Sequence, residues 1–320
     1  MLLGGVASYA AAGEQAGMRQ GVAVGLIVTQ SPEDVKESWM PILEALQSHL
    51  GIEVRANISR DYAGVIWALR SGRNQIAWLG NKAAIKAVDN ADAEVFMQTV
   101  HANNESGYRS YLIARSDSAL HSLDDVFRNI AELTLGTGDT NSTSGYLVPG
   151  YYLFAKRRIN PHDSFKRVVQ NNHEDNLVAV LDGQLDVATV SSIVFEQFIA
   201  QHPDRAREAQ ILWESPLIPS DPLLWRTDLP AHLKREIRSF FINYGRPAPN
   251  KTPDQVEQEQ RVLQRSGKSR FVPSNNNQLI PVRRLELFRN RLLVEGNTAI
   301  TPEARLKRLA DIDRQLDMLD

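Results

Sequence analysis

The stretch LTLGTGDTNSTSGYLVPGYYLFAK occupies residues 133–156. Leu133–Leu135 predicts a strand and Gly145–Arg157 a helix, which Pro149 and Gly150 should kink. Between them runs a polar turn, Asp139–Ser144. A strand that passes into a helix through such a turn is the unit of α/β folds, and ligands bind those folds outside the carboxyl ends of the strands. A helix start leaves backbone N–H groups without partners and carries the positive end of the dipole. Ser142, Thr143 and Ser144 add three neutral hydroxyl donors there. No Lys or Arg occurs from Leu133 to Ala155, so an oxyanion here would be held by dipoles and hydroxyls rather than by a fixed cation. That suits tight binding followed by release without chemistry. The plainer alternative is an N-cap followed by a polar turn.

The same alternation extends both ways along the chain. Downstream, strands are predicted at Val168–Gln170, Asp186–Val190 and Gln210–Trp213, with helices at Glu174–Leu181 and Ile193–Ala200. Tyr108–Ala114 is a strand upstream of the quoted stretch. Further upstream lies a second series. Gly21–Thr29 is a strand. Ser31 caps a helix with Pro32 at its first position and Gly51 at its stop, and Pro41 is predicted to kink or split it. Strands at Ile52–Ile58, Gln75–Leu79 and Glu94–Val100 then alternate with helices at Asp61–Leu69 and Asn81–Val88. Strands alternating with helices predict βαβ units and mostly parallel sheets. Each series contains an apolar helix end, a Gly, three residues and a buried strand: Leu69…Gly72…Ile76 in one, Leu181…Gly183…Val187 in the other. The expectation is two similar α/β lobes. After Trp225 the character turns helical: Pro230–Tyr244, then a charged stretch over 250–269, then Val282–Leu293 and a mixed-charge helix from Pro302 to the end.

Composition narrows the function. The 320 residues are 42% hydrophobic and 23% charged, which is globular and of two-domain size. With 36 basic and 38 acidic residues there is no electrostatic footprint for nucleic acid or an anionic membrane. The absence of cysteine excludes disulfides, thiolate metal sites, a Cys nucleophile and a lipid-anchored Cys within this sequence. Residues 1–18 are read apart from the fold. They are small and apolar up to Ala12, and Ala10-Ala11-Ala12 looks like a signal-peptidase site, so this is either a disordered leader or a secretory signal. No nucleophile elbow, zincin, phosphate-loop or kinase motif occurs, and the seven histidines lack ligand-like spacing. No metal and no cofactor is expected.

Four positions outside the hydroxyl run qualify as ligand contacts. His173 precedes a helix and either donates to an anion or caps the helix. Asp221 sits in a Pro-rich connector, as a turn former or as an acceptor for a proton-bearing oxygen or an amine. Tyr62 opens a helix in the first half, and Tyr108 lies where that half passes into the second.

The segments DYAGVIWALR (61–70), QIAWLGN (75–81), GDTNSTSGYLVPGYYLFAK (138–156), DVATV (186–190) and SPLIPSDPLLWR (215–226) closely resemble the phosphonate-binding proteins of bacterial ABC importers. The resemblance runs from about Gly21 to Leu287. It implies a type II periplasmic binding protein, with two α/β lobes closing over ligand at a hinge. It implies Ser142, Thr143 and Ser144 as donors to the phosphonate oxygens, Tyr62 and Tyr108 as cleft-lining tyrosines, His173 as a phosphonate contact and Asp221 as an acid at the far side. One departure stands out. Members that take aminoalkylphosphonates carry an acid just past the DVAT strand, and the aligned residue here is Ile193. The first acid afterwards is Glu196, which would have to reach in to restore an amine site.

The expectation is therefore a periplasmic solute-binding protein for phosphonates or a related phosphorus oxyanion such as phosphite. It would serve an importer's membrane permease and catalyse no reaction. Lobe 1 is expected over 20–107 and 216–285, lobe 2 over 109–215, and C-terminal helices over 286–320 packing on lobe 1. The rivals are a ligand-sensing domain and a transferase or hydrolase on the same fold, the latter lacking a third member beside His173 and the hydroxyls.

Overall fold

The computed structural model describes residues 21–319. The leader expectation for residues 1–18 falls outside them. Val22–Ile27, buried at every position, forms β1; β2 (Val54–Ser59), β3 (Ile76–Trp78) and β4 (Ala93–His101) follow. The chain then makes β5 (Gly107–Tyr108), β6 (Ser110–Arg115), β7 (Thr134–Thr137), β8 (Arg167–Gln170), β9 (Val187–Ser191) and β10 (Ala209–Glu214). It returns through β11 (Ile218–Pro219), β12 (Pro222–Arg226) and β13 (Lys268–Pro273). One sheet has the order β13-β4-β12-β3-β1-β2 and the other β10-β6-β9-β7-β8. Where the chain crosses between them, β5 and β11 pair as a short antiparallel ribbon, Tyr108 opposite Ile218.

Both sheets are mixed, which corrects the mostly parallel expectation. In the first, β1 pairs in parallel with β2 and β3, while β12 and β13 run antiparallel to their neighbours. In the second, β7 is parallel to β8 and β9, while β6 and β10 are antiparallel. The returning strands β12 and β13 were not legible in the sequence. One follows a proline-rich connector and the other begins with Lys268-Ser269-Arg270, so neither shows a strand's apolar alternation.

Helices α1 (Pro32–Leu50), α2 (Tyr62–Arg70) and α3 (Asn81–Asn90) connect the first strands. α1 is unbroken despite Pro41, and Ser31 caps it by accepting the Asp34 N–H. Val35, Trp39, Ile42, Leu43 and Leu46 bury on both sides of the proline against Phe96, Phe241 and Phe271. Several large side chains at about 1.5–3 kcal/mol each outweigh the roughly 3 kcal/mol that an interior proline costs. The second lobe carries α4 (Leu123–Arg128), α5 (Pro161–Ser164), α6 (His173–Leu181) and α7 (Ser192–Gln201). α8 (Ala231–Asn243) and α9 (Pro253–Arg265) cover the first sheet. Gly72 and Gly183, at φ of +73° and +71°, end α2 and α6 in the left-handed conformation that the two matching sequence signatures require.

The last helices, α10 (Ile280–Gly296) and α11 (Pro302–Asp317), pack on each other. α10 does not stay with the first lobe. It touches α3 and also the turns that follow β7 in the second, where Arg289 donates to the Tyr146 hydroxyl at 3.3 Å.

Candidate functional site

A cavity of about 660 Å³ lies between the lobes. Ser142, Thr143, Ser144, His173, Tyr62, Tyr108 and Asp221 all line it, so every site residue named from the sequence reaches one place. The lobes already touch across its mouth: Gln30 donates to Gln197 at 2.6 Å, and the Ser31 N–H donates to the Glu174 carboxylate at 2.7 Å.

The hydroxyl run sits at the start of a wide helical segment. Thr143–Leu147 and Gly150–Phe154 are π-helical, with Leu147 N–H reaching back to the Ser142 carbonyl. The expected helix with a kink at Pro149 thus becomes two widened turns, a form concentrated at functional sites. Ser142 caps the segment by accepting the Gly145 N–H at 3.0 Å. Gly145 must be glycine: a Cβ there would come 2.8 Å from the Gly138 Cα and 3.0 Å from the His173 ring. That close approach holds the turn against β7 and the imidazole.

His173 is buried, and burial pushes its pKa down to about 4, so the ring is neutral. The Ser191 N–H donates to Nδ1 at 3.2 Å. Nδ1 is therefore the acceptor, and the proton resides on Nε2. That Nε2–H faces the hydroxyls of Ser142 and Ser144, each 3.5 Å away, distances too long for strong bonds. Thr143 reaches the other way. Its hydroxyl oxygen accepts the Lys82 N–H in the first turn of α3 at 2.9 Å, which ties the loop to the first lobe and leaves its O–H proton free to donate. Behind the loop, the Lys82 ammonium donates to the Thr140 carbonyl at 2.7 Å and pairs with Glu286 of α10 at 3.6 Å.

Asp221 faces this group from the connector before β12. Tyr108 donates to its carboxylate at 3.0 Å and Asn81 at 3.4 Å. Burial nonetheless raises its pKa to about 7, against the opposing pull of Tyr108, Asn81 and Lys268. Burial, with the Asp221 charge second, holds the phenols of Tyr62 and Tyr108 well above their usual range, so both are O–H donors.

Ile193, at the start of α7, lines the cavity, and its side chain packs with Tyr108, Val148 and Ile218. Glu196 is not among the lining residues; its electrostatic neighbours are Glu105, Arg109 and Glu214. Other lining residues escaped the sequence reading: Trp39, Trp78, Thr99, His101 and Lys268. Lys268 adds a cation to the cavity wall that the sequence reading did not include. No charge lies in the hydroxyl run itself, but β13 delivers an ammonium from 124 residues beyond Ser144 in the chain. Nothing in the sequence around 268 marks it. Among the described residues, no group of three or more His, Asp or Glu is placed to hold a metal.

The sequence and its two mixed α/β lobes match known proteins closely. A family model described as the phosphonate periplasmic substrate-binding protein of ABC transporters matches residues 24–279. The chain belongs to this family. It is 42% identical over 296 residues to the phosphonates-binding periplasmic protein of Escherichia coli, covering 92% of this chain and 85% of that one. A solved binding-protein component of an ABC phosphonate transporter from Pseudomonas aeruginosa superposes with a TM-score of 0.88 at 42% identity, covering 94% of this chain and 97% of that one. A Prochlorococcus marinus protein solved in complex with methylphosphonate shares the fold at a TM-score of 0.73 and 18% identity, covering 85% of this chain and 99% of that one. As a phosphonate-family member, this chain is a type II periplasmic substrate-binding component of an ABC importer and not an enzyme.

Proposed function

We propose that this binding protein captures a phosphonate, or a phosphorus oxyanion of the same shape, at the hydroxyl run, and presents it to the importer's permease in the closed form. Ser142, Thr143 and Ser144 donate to the anion's oxygens, joined by the His173 Nε2–H and the hydroxyl of Tyr62. Asp221, oriented by Tyr108, accepts the proton that a singly ionised phosphonate carries. The observation that carries this reading is the neutral His173, whose Nε2–H lies between two hydroxyls too distant to satisfy it. An oxyanion oxygen between them completes all three donors. With no cation against the hydroxyls, affinity comes from several charge-assisted bonds of about 1.5–3 kcal/mol each and reverses when the lobes part. The matching lobe boundaries are 20–107 with 216–285, and 109–215, followed by C-terminal helices over 286–320. Support for them comes from the strand membership of the two sheets.

The test is a thermal-shift and calorimetric screen of methylphosphonate, 2-aminoethylphosphonate, phosphite, phosphate and sulfate. Stabilisation by phosphonates, with sulfate weakest at pH 8, is expected. No stabilisation by any phosphorus oxyanion would overturn the reading.

A further inference from the structure

The cavity is far larger than a phosphonate group with a methyl substituent, and what lines the remainder has its own chemistry. Lys268 lies on the first-lobe wall, 7% exposed. Its ammonium donates to the Ser266 carbonyl at 3.1 Å and lies over the rings of Trp39 and Trp78, at 5.2 and 5.6 Å. Among the described residues no carboxylate comes within ion-pair distance of it. Asp221, the acid that influences it, is engaged by Tyr108 and Asn81 instead. Its other neighbour on the wall, His101, is neutral, with a pKa lowered to about 4 by burial and by Lys268 itself, and its Nε2 is paired with the Ser220 hydroxyl at 3.1 Å. A buried ammonium with one backbone acceptor and no counter-ion is costly, because burial removes its water and nothing charged replaces it. The interactions run in sequence from Ser144 to Tyr108, from Tyr108 to Asp221, and from Asp221 to Lys268. Lys268, Trp39 and Trp78 line the same cavity as Asp221 and the hydroxyl run, so a substituent on a phosphonate bound there shares the cavity with this ammonium.

We infer that Lys268, with the faces of Trp39 and Trp78, forms a second subsite for a negatively charged substituent, so that the preferred ligands are phosphonates ending in a carboxylate. The inference rests on the phosphonate reading above. It also agrees with Ile193: the cavity has an apolar residue where an amine-binding acid would stand, and a cation elsewhere on its wall.

The test is a calorimetric series at pH 7 with methylphosphonate, propylphosphonate, 3-aminopropylphosphonate, phosphonoacetate and 3-phosphonopropionate, on wild type and on Lys268→Met. Wild type should bind at least one carboxylate ligand ten times or more tighter than propylphosphonate, and the amine weakest. Lys268→Met should lose that preference while keeping methylphosphonate affinity within threefold. Equal or weaker binding of both carboxylates by wild type overturns the subsite, and this arm needs no variant to fold. A Lys268→Met protein that loses affinity for every phosphonate alike also overturns it, since the ammonium would then serve the phosphonate group. Failure of wild type to bind methylphosphonate or any other member is a different result, which removes the parent reading and the subsite with it.

Discussion

Replacing Asp221 with asparagine separates its charge from its shape. Sulfate has no proton to share near neutral pH, so it can occupy the site beside Asp221 only when the carboxyl is protonated. With a pKa raised to about 7, that acid is protonated below pH 7 and ionised above it. The form that accepts sulfate is therefore plentiful at low pH and is lost as pH rises. Between pH 6 and pH 8 the protonated fraction falls about tenfold, equivalent to about 1.4 kcal/mol. Wild-type sulfate affinity should fall by that factor over this range. Methylphosphonate supplies the shared proton itself, and its affinity should change by less than about threefold. In Asp221→Asn the amide oxygen still accepts from Tyr108 and the amide nitrogen donates to the anion, so sulfate binding should strengthen at pH 8 and become flat with pH. Burial lowers the Lys268 pKa to about 8 and the Asp221 charge holds it up, so Lys268 loses its proton at lower pH in the variant; Lys268→Met with and without Asp221→Asn, titrated alongside, separates its contribution. Calorimetry at pH 6, 7 and 8 at fixed ionic strength reads all of this. A wild-type sulfate affinity that is flat across the range, or falls equally in the variant, would refute the role given to Asp221. Unfolding offers a second readout. The folded state holds the Asp221 proton more tightly than the unfolded chain between pH 3.8 and about 7, so wild-type stability falls across that window and stays low above it. Asp221→Asn should be the more stable protein at pH 8, by up to about 4 kcal/mol, with the gap closing toward pH 4.

Ser142→Ala combined with Thr143→Val removes two donors and should weaken methylphosphonate and phosphite by a similar factor, at least a hundredfold at about 1.5–3 kcal/mol per bond; a double variant that titrates like wild type would place the anion elsewhere. Ile193→Glu should gain affinity for 2-aminoethylphosphonate relative to methylphosphonate. If wild type already prefers the amine strongly and the variant does not improve on it, Ile193 is not the specificity wall. Glu174→Ala removes the carboxylate that accepts the Ser31 N–H across the mouth, so the closed form should lose stability and the dissociation constant for methylphosphonate should rise about tenfold. Unchanged affinity and dissociation rate would show that this contact contributes nothing to closure.

Local chemistry settled much of this protein from sequence alone. Ser31, Pro32 and Gly51 bounded the first helix, because caps and stops act within one turn. Gly72 and Gly183 marked the same helix-to-strand passage in each lobe, because only a left-handed residue makes it cheaply. The run Ser142-Thr143-Ser144 after a strand marked a turn that lines the cavity between the lobes, because its hydroxyls are contiguous in the chain. Features that depend on distant pairing were decided only by the tertiary structure. Strands β12 and β13 carry weak patterns and exist because the first sheet offers them edges to pair with, and their insertion makes the sheets mixed. The tautomer of His173 depends on a backbone N–H 18 residues away. The unbroken course of α1 through Pro41 depends on the aromatic core beneath it. The cation in the cleft is the clearest case: Lys268 lies in a charged stretch like any surface lysine, and it becomes a buried ammonium beside Asp221 only because β13 pairs with β4 and α1 brings Trp39 over it. Burial and electrostatic neighbours are properties of the folded ensemble of segments, and no window of sequence contains them.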